Sequence, residues 1–199
     1  MGPRPAATAR VDRAGLDPVH ARPRVVILTG VSGSGKSVVG TAVAEALGLP
    51  FADGDAFHPQ ENVAKMSAGR PLTDADRWPW LDAIGTLIDQ WRAAGQGGVI
   101  ACSALRRVYR GRLAAGRPEV VFAFLDVPQA VLAYRVANRP GHFMPASLLA
   151  SQLAALEPPH PGEPTVRVLV GERTTVQEQV LAIVAAVAPS PPGAGGAVV

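Results

Sequence analysis

The run Gly30-Val31-Ser32-Gly33-Ser34-Gly35-Lys36-Ser37 matches the phosphate-binding pattern G-x-x-x-x-G-K-[ST] over its full length. Its glycines let backbone N–H groups turn inward around phosphate oxygens. A helix leaving the loop would offer its free N-terminal N–H groups and positive dipole end to the same anion. Lys36 is expected to reach the outer phosphates and Ser37 to give its hydroxyl to Mg²⁺. Lysine is otherwise scarce: Lys36 and Lys65 stand among 19 lysines and arginines. A compact ammonium fits a phosphate loop where a planar guanidinium would not.

The next chemistry lies in Asp53-Gly54-Asp55. Beside a phosphate loop, Asp53 could support the Mg²⁺ shell and Asp55 could orient, or take a proton from, an acceptor hydroxyl. Phosphoryl transfer asks mostly for positioning and charge neutralisation, so such a pair is sufficient local machinery. The same tripeptide is also an ordinary turn sequence. His58 follows in Phe57-His58-Pro59 and can hydrogen-bond a polyol or serve the packing. Arg77 is suited to a bidentate hold on a carboxylate, or to an exposed helix surface. Arg106 and Arg110, four residues apart, could face one anion or form a solvated basic face. Arg135 and Arg139 precede the Pro140-Gly141 break and His142. A flap carrying these arginines onto phosphates would exclude water and neutralise charge in the transition state.

These residues need a scaffold that brings them together. Val25 to Thr29 is a short apolar run of the kind found in a central parallel strand. Val39, Ala42, Val43, Ala46 and Leu47 then recur at helical spacing, with Gly48 as C-terminal cap. Short strands are expected at Pro50 to Ala52, Val99 to Cys102, Val120 to Leu125 and Val166 to Val170. Helices are expected from Thr73 through Trp91, around Leu105 to Leu113, from Pro128 to Arg139, across Leu148 to Leu156 and over Val176 to Val184. Strands alternating with helices predict a parallel sheet with right-handed crossovers. The phosphate loop, Asp53 to Asp55 and Ser103 then share the edge where such sheets bind ligands. The turn Val170-Gly171-Glu172-Arg173 lies at the same edge, where a nucleotide base would need contacts.

The 199 residues suit one domain, read here as 24–188, with a lid around 135–145. The stretches 1–23 and 189–199, rich in Pro, Ala and Gly, read as disordered tails. The formal charge is +3, of which four arginines against two aspartates in the first 23 residues supply +2. The small remainder predicts no nucleic-acid surface. One cysteine, Cys102, sits in an apolar run and reads as a core residue of a cytoplasmic protein. No apolar run approaches the length of a membrane span.

Taken together, the phosphate loop, Gly54-Asp55-Ala56-Phe57-His58-Pro59, Asn62, Lys65-Met66, Pro71-Leu72, Asp76-Arg77, Pro79-Trp80-Leu81, Cys102 to Arg107, Tyr109-Arg110, Arg139, Gly141 to Met144 and Ser151-Gln152 resemble the bacterial-type gluconokinases. The resemblance spans about Arg24 to Val187. It implies an α/β fold of the P-loop NTPase type, a three-layer αβα sandwich like the nucleoside monophosphate kinases, with a mobile lid. It implies transfer of the ATP γ-phosphate to the 6-hydroxyl of D-gluconate with Mg²⁺, and a homodimer. The site it implies comprises Lys36, Asp55 and Arg139 as catalytic groups, and Gly30 to Ser37 with Arg135 around the nucleotide. Ser37 and Asp53 would hold the metal, and Asp55, His58, Arg77, Ser103, Arg106 and His142 would hold the acceptor. The residues by themselves leave two alternatives open: a kinase for another small acceptor such as shikimate or a nucleoside, and a nucleotide-binding regulator without turnover.

Overall fold

The computed structural model describes residues 11–12, 24–137 and 146–188. β2 (Val25–Thr29) is buried at every position. It pairs in parallel with β4 (Gly98–Ala101) on one side and β5 (Val120–Asp126) on the other. β3 (Phe51–Asp53) extends the sheet beyond β4, and β6 (Thr165–Leu169) extends it beyond β5, both in parallel. Near-continuous Val, Ile, Leu and Phe in β2 and β5 follow from burial on both faces of the sheet. Val26 and Leu28 point to one face, Val25 and Ile27 to the other, each pair entering a separate core.

α1 (Lys36–Leu47) and α7 (Val176–Val187) cover the first face through Val39, Val43 and Ile183. α3 (Asp74–Ala93) and α4 (Arg107–Ala114) cover the second through Trp80, Ile84, Ile88 and Leu113. The result is the αβα sandwich that the resemblance implied. α3 begins where Thr73 and Asp76 form a reciprocal capping box, each side chain bonding the other's backbone. α5 (Gln129–Ala137) and α6 (Ala146–Ala155) flank the stretch 138–145, and with it Arg139 and His142, which lies outside the described residues.

Three features depart from the sequence reading. Val11–Asp12, inside the stretch read as tail, forms a short strand β1 antiparallel to β6, with Val11 opposite Val168. The sheet is therefore six-stranded, in the order β1-β6-β5-β2-β4-β3, with one antiparallel edge. Such an edge strand needs only backbone partners, so no hydrophobic period announces it. A 3-10 turn (Gly54–Phe57) and α2 (Gln60–Ser67) follow β3, where no helix was expected. Arg106 is the N-cap of α4 and so lies outside the helical face it was expected to share with Arg110. Among the described residues no helix is long and apolar enough to cross a membrane.

Candidate functional site

A cleft of about 660 Å³ opens at the C-terminal ends of β2, β3 and β4 and joins Ser32 to Ser37 with Asp53, Asp55, His58, Arg77 and Ser103. The crossover topology puts these strand ends at one edge, so residues up to about 70 positions apart in sequence converge.

On the phosphate side, Gly33 and Gly35 adopt φ of +80° and +99°, a region open to glycine. α1 starts directly after them without a side-chain cap, which leaves the amides of its first turn for an anion. Lys36 Nζ donates to the Val31 carbonyl at 3.1 Å, folding the ammonium across the loop. Gly30 and Val31 shape this loop from beneath, and Val31 is buried. Arg135 reaches from α5 to the carbonyls of Gly33 and Ser34 at 3.5 and 3.4 Å. Ser34 Oγ is buried with no hydrogen-bond partner among the described residues.

The two aspartates separate by what they touch. Asp53 Oδ2 accepts from Ser37 Oγ at 2.9 Å, and Asp53 Oδ1 accepts from the Asp55 amide at 3.1 Å. Asp53 is thus bound to the loop's hydroxyl residue, while Asp55 lines the cleft. The glycine between them is required by packing: a Cβ on Gly54 would lie 2.5 Å from the Ala101 carbonyl of β4. One hydroxyl and one carboxylate suit Mg²⁺, which keeps waters and substrate phosphates in its remaining positions.

On the opposite wall the His58 ring stacks on Trp80 at 4.2 Å between centroids, and Trp80 Nε1 donates to the Gly54 carbonyl at 2.7 Å. Burial, with the positive Arg77 beside it, lowers the His58 pKa to about 4, so the ring is neutral. Asn62 Nδ2 lies 3.3 Å from His58 Nδ1 and donates to the Asp76 carbonyl at 2.7 Å. An amide NH₂ only donates, so Nδ1 accepts and the ring proton sits on Nε2. Arg77 Nη1 donates to the Leu72 carbonyl at 2.5 Å and to the Tyr109 hydroxyl at 3.3 Å. Tyr109 in turn donates to Asp74 at 2.5 Å, and that bond, with Arg106 beside it, holds the Asp74 carboxyl below its usual range.

Arg106 stands behind this wall and outside the cleft lining. Its guanidinium is committed to Asp74 at 2.6 Å and Glu157 at 3.3 Å. Arg110 is buried and forks onto Glu163, so the two arginines do not converge on one anion. Cys102 is fully buried under the site, and burial, with Asp55 nearby, pushes its thiol up to about 12, consistent with a core residue.

Several cleft residues had no role assigned from the sequence. Gln152 of α6 accepts the Ser32 amide at 2.6 Å. In the sequence it stands in the Ser151-Gln152 pair of the resemblance, as a polar side chain on the otherwise apolar stripe of Leu149, Leu153 and Leu156. Arg70 lines the acceptor side next to Arg77. Val38, Tyr134 and Val176 line the other end and are 62%, 72% and 39% exposed, an open apolar face suited to a flat base. Thr174, which follows the Val170 to Arg173 turn, and Gln179 also line the cleft.

Comparison with known proteins agrees with this arrangement. Residues 25–159 match a family model described as an AAA domain. The gluconokinase of Gluconobacter oxydans is 50% identical over 147 residues, covering 74% of this chain and 83% of that protein. The crystal structure of a sugar kinase from Janibacter sp. superposes with a TM-score of 0.79 at 45% identity, covering 84% of this chain and 96% of that one. A gluconokinase structure from Sinorhizobium meliloti gives a TM-score of 0.73 at 47% identity, covering 85% and 94%. With a P-loop kinase fold and this degree of identity along most of its length, the chain belongs to the gluconokinase family.

Proposed function

We propose that the protein transfers the γ-phosphoryl group of ATP to the 6-hydroxyl of D-gluconate, giving 6-phosphogluconate and ADP. The observation that carries this reading is the meeting, in one cleft, of the Lys36 loop and the Ser37–Asp53 pair with Asp55, His58 and Arg77. Donor machinery and a polar acceptor wall share one space.

In this reading the loop amides, Lys36 and Arg135 bind the phosphates, and Val38, Tyr134 and Val176 face the base. Ser37 and Asp53 hold Mg²⁺, which would neutralise phosphate charge when bound. Asp55 orients the acceptor hydroxyl and receives its proton as the new O–P bond forms and the bond to the β–γ bridging oxygen breaks, its electron pair leaving with ADP. His58, neutral and protonated on Nε2, donates to a sugar hydroxyl. Arg77, fixed through Nη1 by Leu72 and Tyr109, holds the acid group. Ser103 completes the wall. Arg106 acts through Asp74 and Tyr109. Arg139 and His142 enter the proposal on the resemblance alone, as does the homodimer. A cytoplasmic location agrees with the unpaired, buried Cys102.

The test is ADP release over gluconate, other aldonates, shikimate and nucleosides. Gluconate is expected to give the highest kcat/KM, with a product phosphorylated at the 6-position. Turnover of shikimate or a nucleoside and none of gluconate overturns the reading.

A further inference from the structure

The turn that carries Ser103 into the cleft is strained and heavily held. Ala104 has φ +36°, the single non-glycine residue at positive φ among the described residues. L-residues with a Cβ visit that region rarely, and such strain persists only where the surroundings enforce it. Three successive carbonyls of this turn are all engaged. The Gly30 amide donates to Ser103 O at 3.4 Å, which ties the turn to the start of the phosphate loop. Arg110 Nη1 donates to Ala104 O at 3.2 Å and to Leu105 O at 3.1 Å. The Glu157 amide donates to Leu105 O at 2.9 Å.

Arg110 is the centre of this arrangement. It is 2% exposed, and every nitrogen of its guanidinium is used. Nε and Nη2 fork onto Glu163 at 2.6 and 3.0 Å, and Nη1 also donates to the Glu157 carbonyl at 3.0 Å. Glu163 accepts the His160 amide as well, at 2.8 Å, which fixes the carboxylate from the other side. Arg110 thus joins two chain segments. One is the turn after β4, whose Ser103 and Leu105 line the cleft. The other is the segment after α6, the helix whose Gln152 reaches Ser32 of the phosphate loop. A buried pair placed only for stability is replaceable by apolar packing. This one spends its donors on the backbone of a strained turn at the reaction site.

We propose that Arg110, neutralised by Glu163, is a positioning residue for phosphoryl transfer: it holds the Ser103 to Leu105 turn in its strained form, so that Ser103 stands in the cleft beside the phosphate loop. The proposal rests on the kinase reading above. It acts through Ser103 and the turn backbone, with no contact from Arg110 to either substrate. A lysine at 110 keeps the charge but cannot serve two carbonyls and a forked carboxylate at once. A glutamine at 163 leaves one acceptor for the guanidinium fork, and so loosens the turn without replacing Arg110.

The experiment compares wild type, Arg110→Lys, Glu163→Gln, Ser103→Ala and the Arg110→Lys/Ser103→Ala double variant. The readouts are steady-state ADP release, binding of a non-hydrolysable ATP analogue, and thermal melting. Arg110→Lys is expected to lower kcat/KM for the acceptor by about tenfold, and Glu163→Gln by about threefold, with analogue affinity within about twofold of wild type. The double variant is expected to be no worse than the poorer single variant, because both changes remove one function. A lowered melting temperature with acceptor constants within about twofold of wild type overturns the proposal. So does additive loss in the double variant. Glu163→Gln with wild-type constants overturns it even where Arg110→Lys does not fold. Wild-type enzyme without turnover of gluconate counts against the gluconate reading, and the same variants are then measured with the acceptor that is turned over.

Discussion

The backbone amide of Ser32 donates to the side-chain oxygen of Gln152 at 2.6 Å, across 120 residues of sequence. An amide in a phosphate loop is a site for a phosphate oxygen, and here α6 supplies an uncharged oxygen in that place. Nucleotide binding is therefore expected to exchange a protein acceptor for a phosphate acceptor at this amide. Replacing that oxygen by a charged one gives a sharp test. Gln152→Glu is expected to weaken ATP binding by about tenfold or more, because a carboxylate beside Ser32 repels the phosphates. Gln152→Ala is expected to bind ATP at least as tightly as wild type. Titration calorimetry with a non-hydrolysable analogue reads both, and equal affinity for Gln152→Glu and wild type contradicts the exchange.

The two aspartates at the end of β3 and just beyond it are expected to fail differently. Asp55→Asn should lower kcat by about a thousandfold while leaving analogue affinity within about twofold, since it removes the group facing the acceptor hydroxyl. Asp53→Asn should instead raise the Mg²⁺ concentration needed for half-maximal rate by about tenfold, since Asp53 is bonded to Ser37. Identical Mg²⁺ curves for the two variants would remove the division of labour.

His58 gives the chain a pH dependence of definite sign. Burial, reinforced by Arg77, lowers its pKa from 6.5 to about 4. Between those values the unfolded chain binds a proton that the folded chain refuses, so stability rises with pH there. The contribution is complete above 6.5 and lost as pH falls toward 4. His58→Gln, which keeps a side-chain amide donor but does not titrate, is expected to flatten the fall in melting temperature across that window. Parallel curves for variant and wild type would show that the ring's charge is not what the acid side acts on.

Gly54 is expected to tolerate no side chain. A Cβ there would stand 2.5 Å from the Ala101 carbonyl and 3.3 Å from Cys102 Cβ, both in or beside β4. Gly54→Ala must push β3 away from β4 and with it Asp53 and Asp55. A cost of about 2 kcal/mol, or about 5 °C in melting temperature for a domain of this size, is expected together with lower kcat. Gly69→Ala is the control on strain without contact: a Cβ there meets nothing within 4 Å, although its φ of +70° disfavours alanine. It should leave kcat unchanged.

Much of this protein is written locally. The phosphate loop, its strand and its helix follow from eight contiguous residues and two flanking apolar patterns, because loop, cap and dipole are short-range chemistry. The helix start at Thr73, the αβα layers and the convergence of Asp53, Asp55 and Ser103 at one edge follow from the same kind of pattern plus the handedness of crossovers. Tertiary structure decided what each polar side chain spends its hydrogen bonds on. Arg106 and Arg110 are alike in sequence, yet one faces Asp74 and Glu157 at the surface and the other is buried on Glu163 and three carbonyls. Gln152 sits on an apolar stripe, yet it reaches the phosphate loop. Val11 lies in a stretch with no apolar period, yet it pairs with Val168. Arg110–Glu163, Ser32–Gln152 and Val11–Val168 span from about 50 to more than 150 positions, and a period or motif read over ten or twenty residues holds no information about a partner that far away.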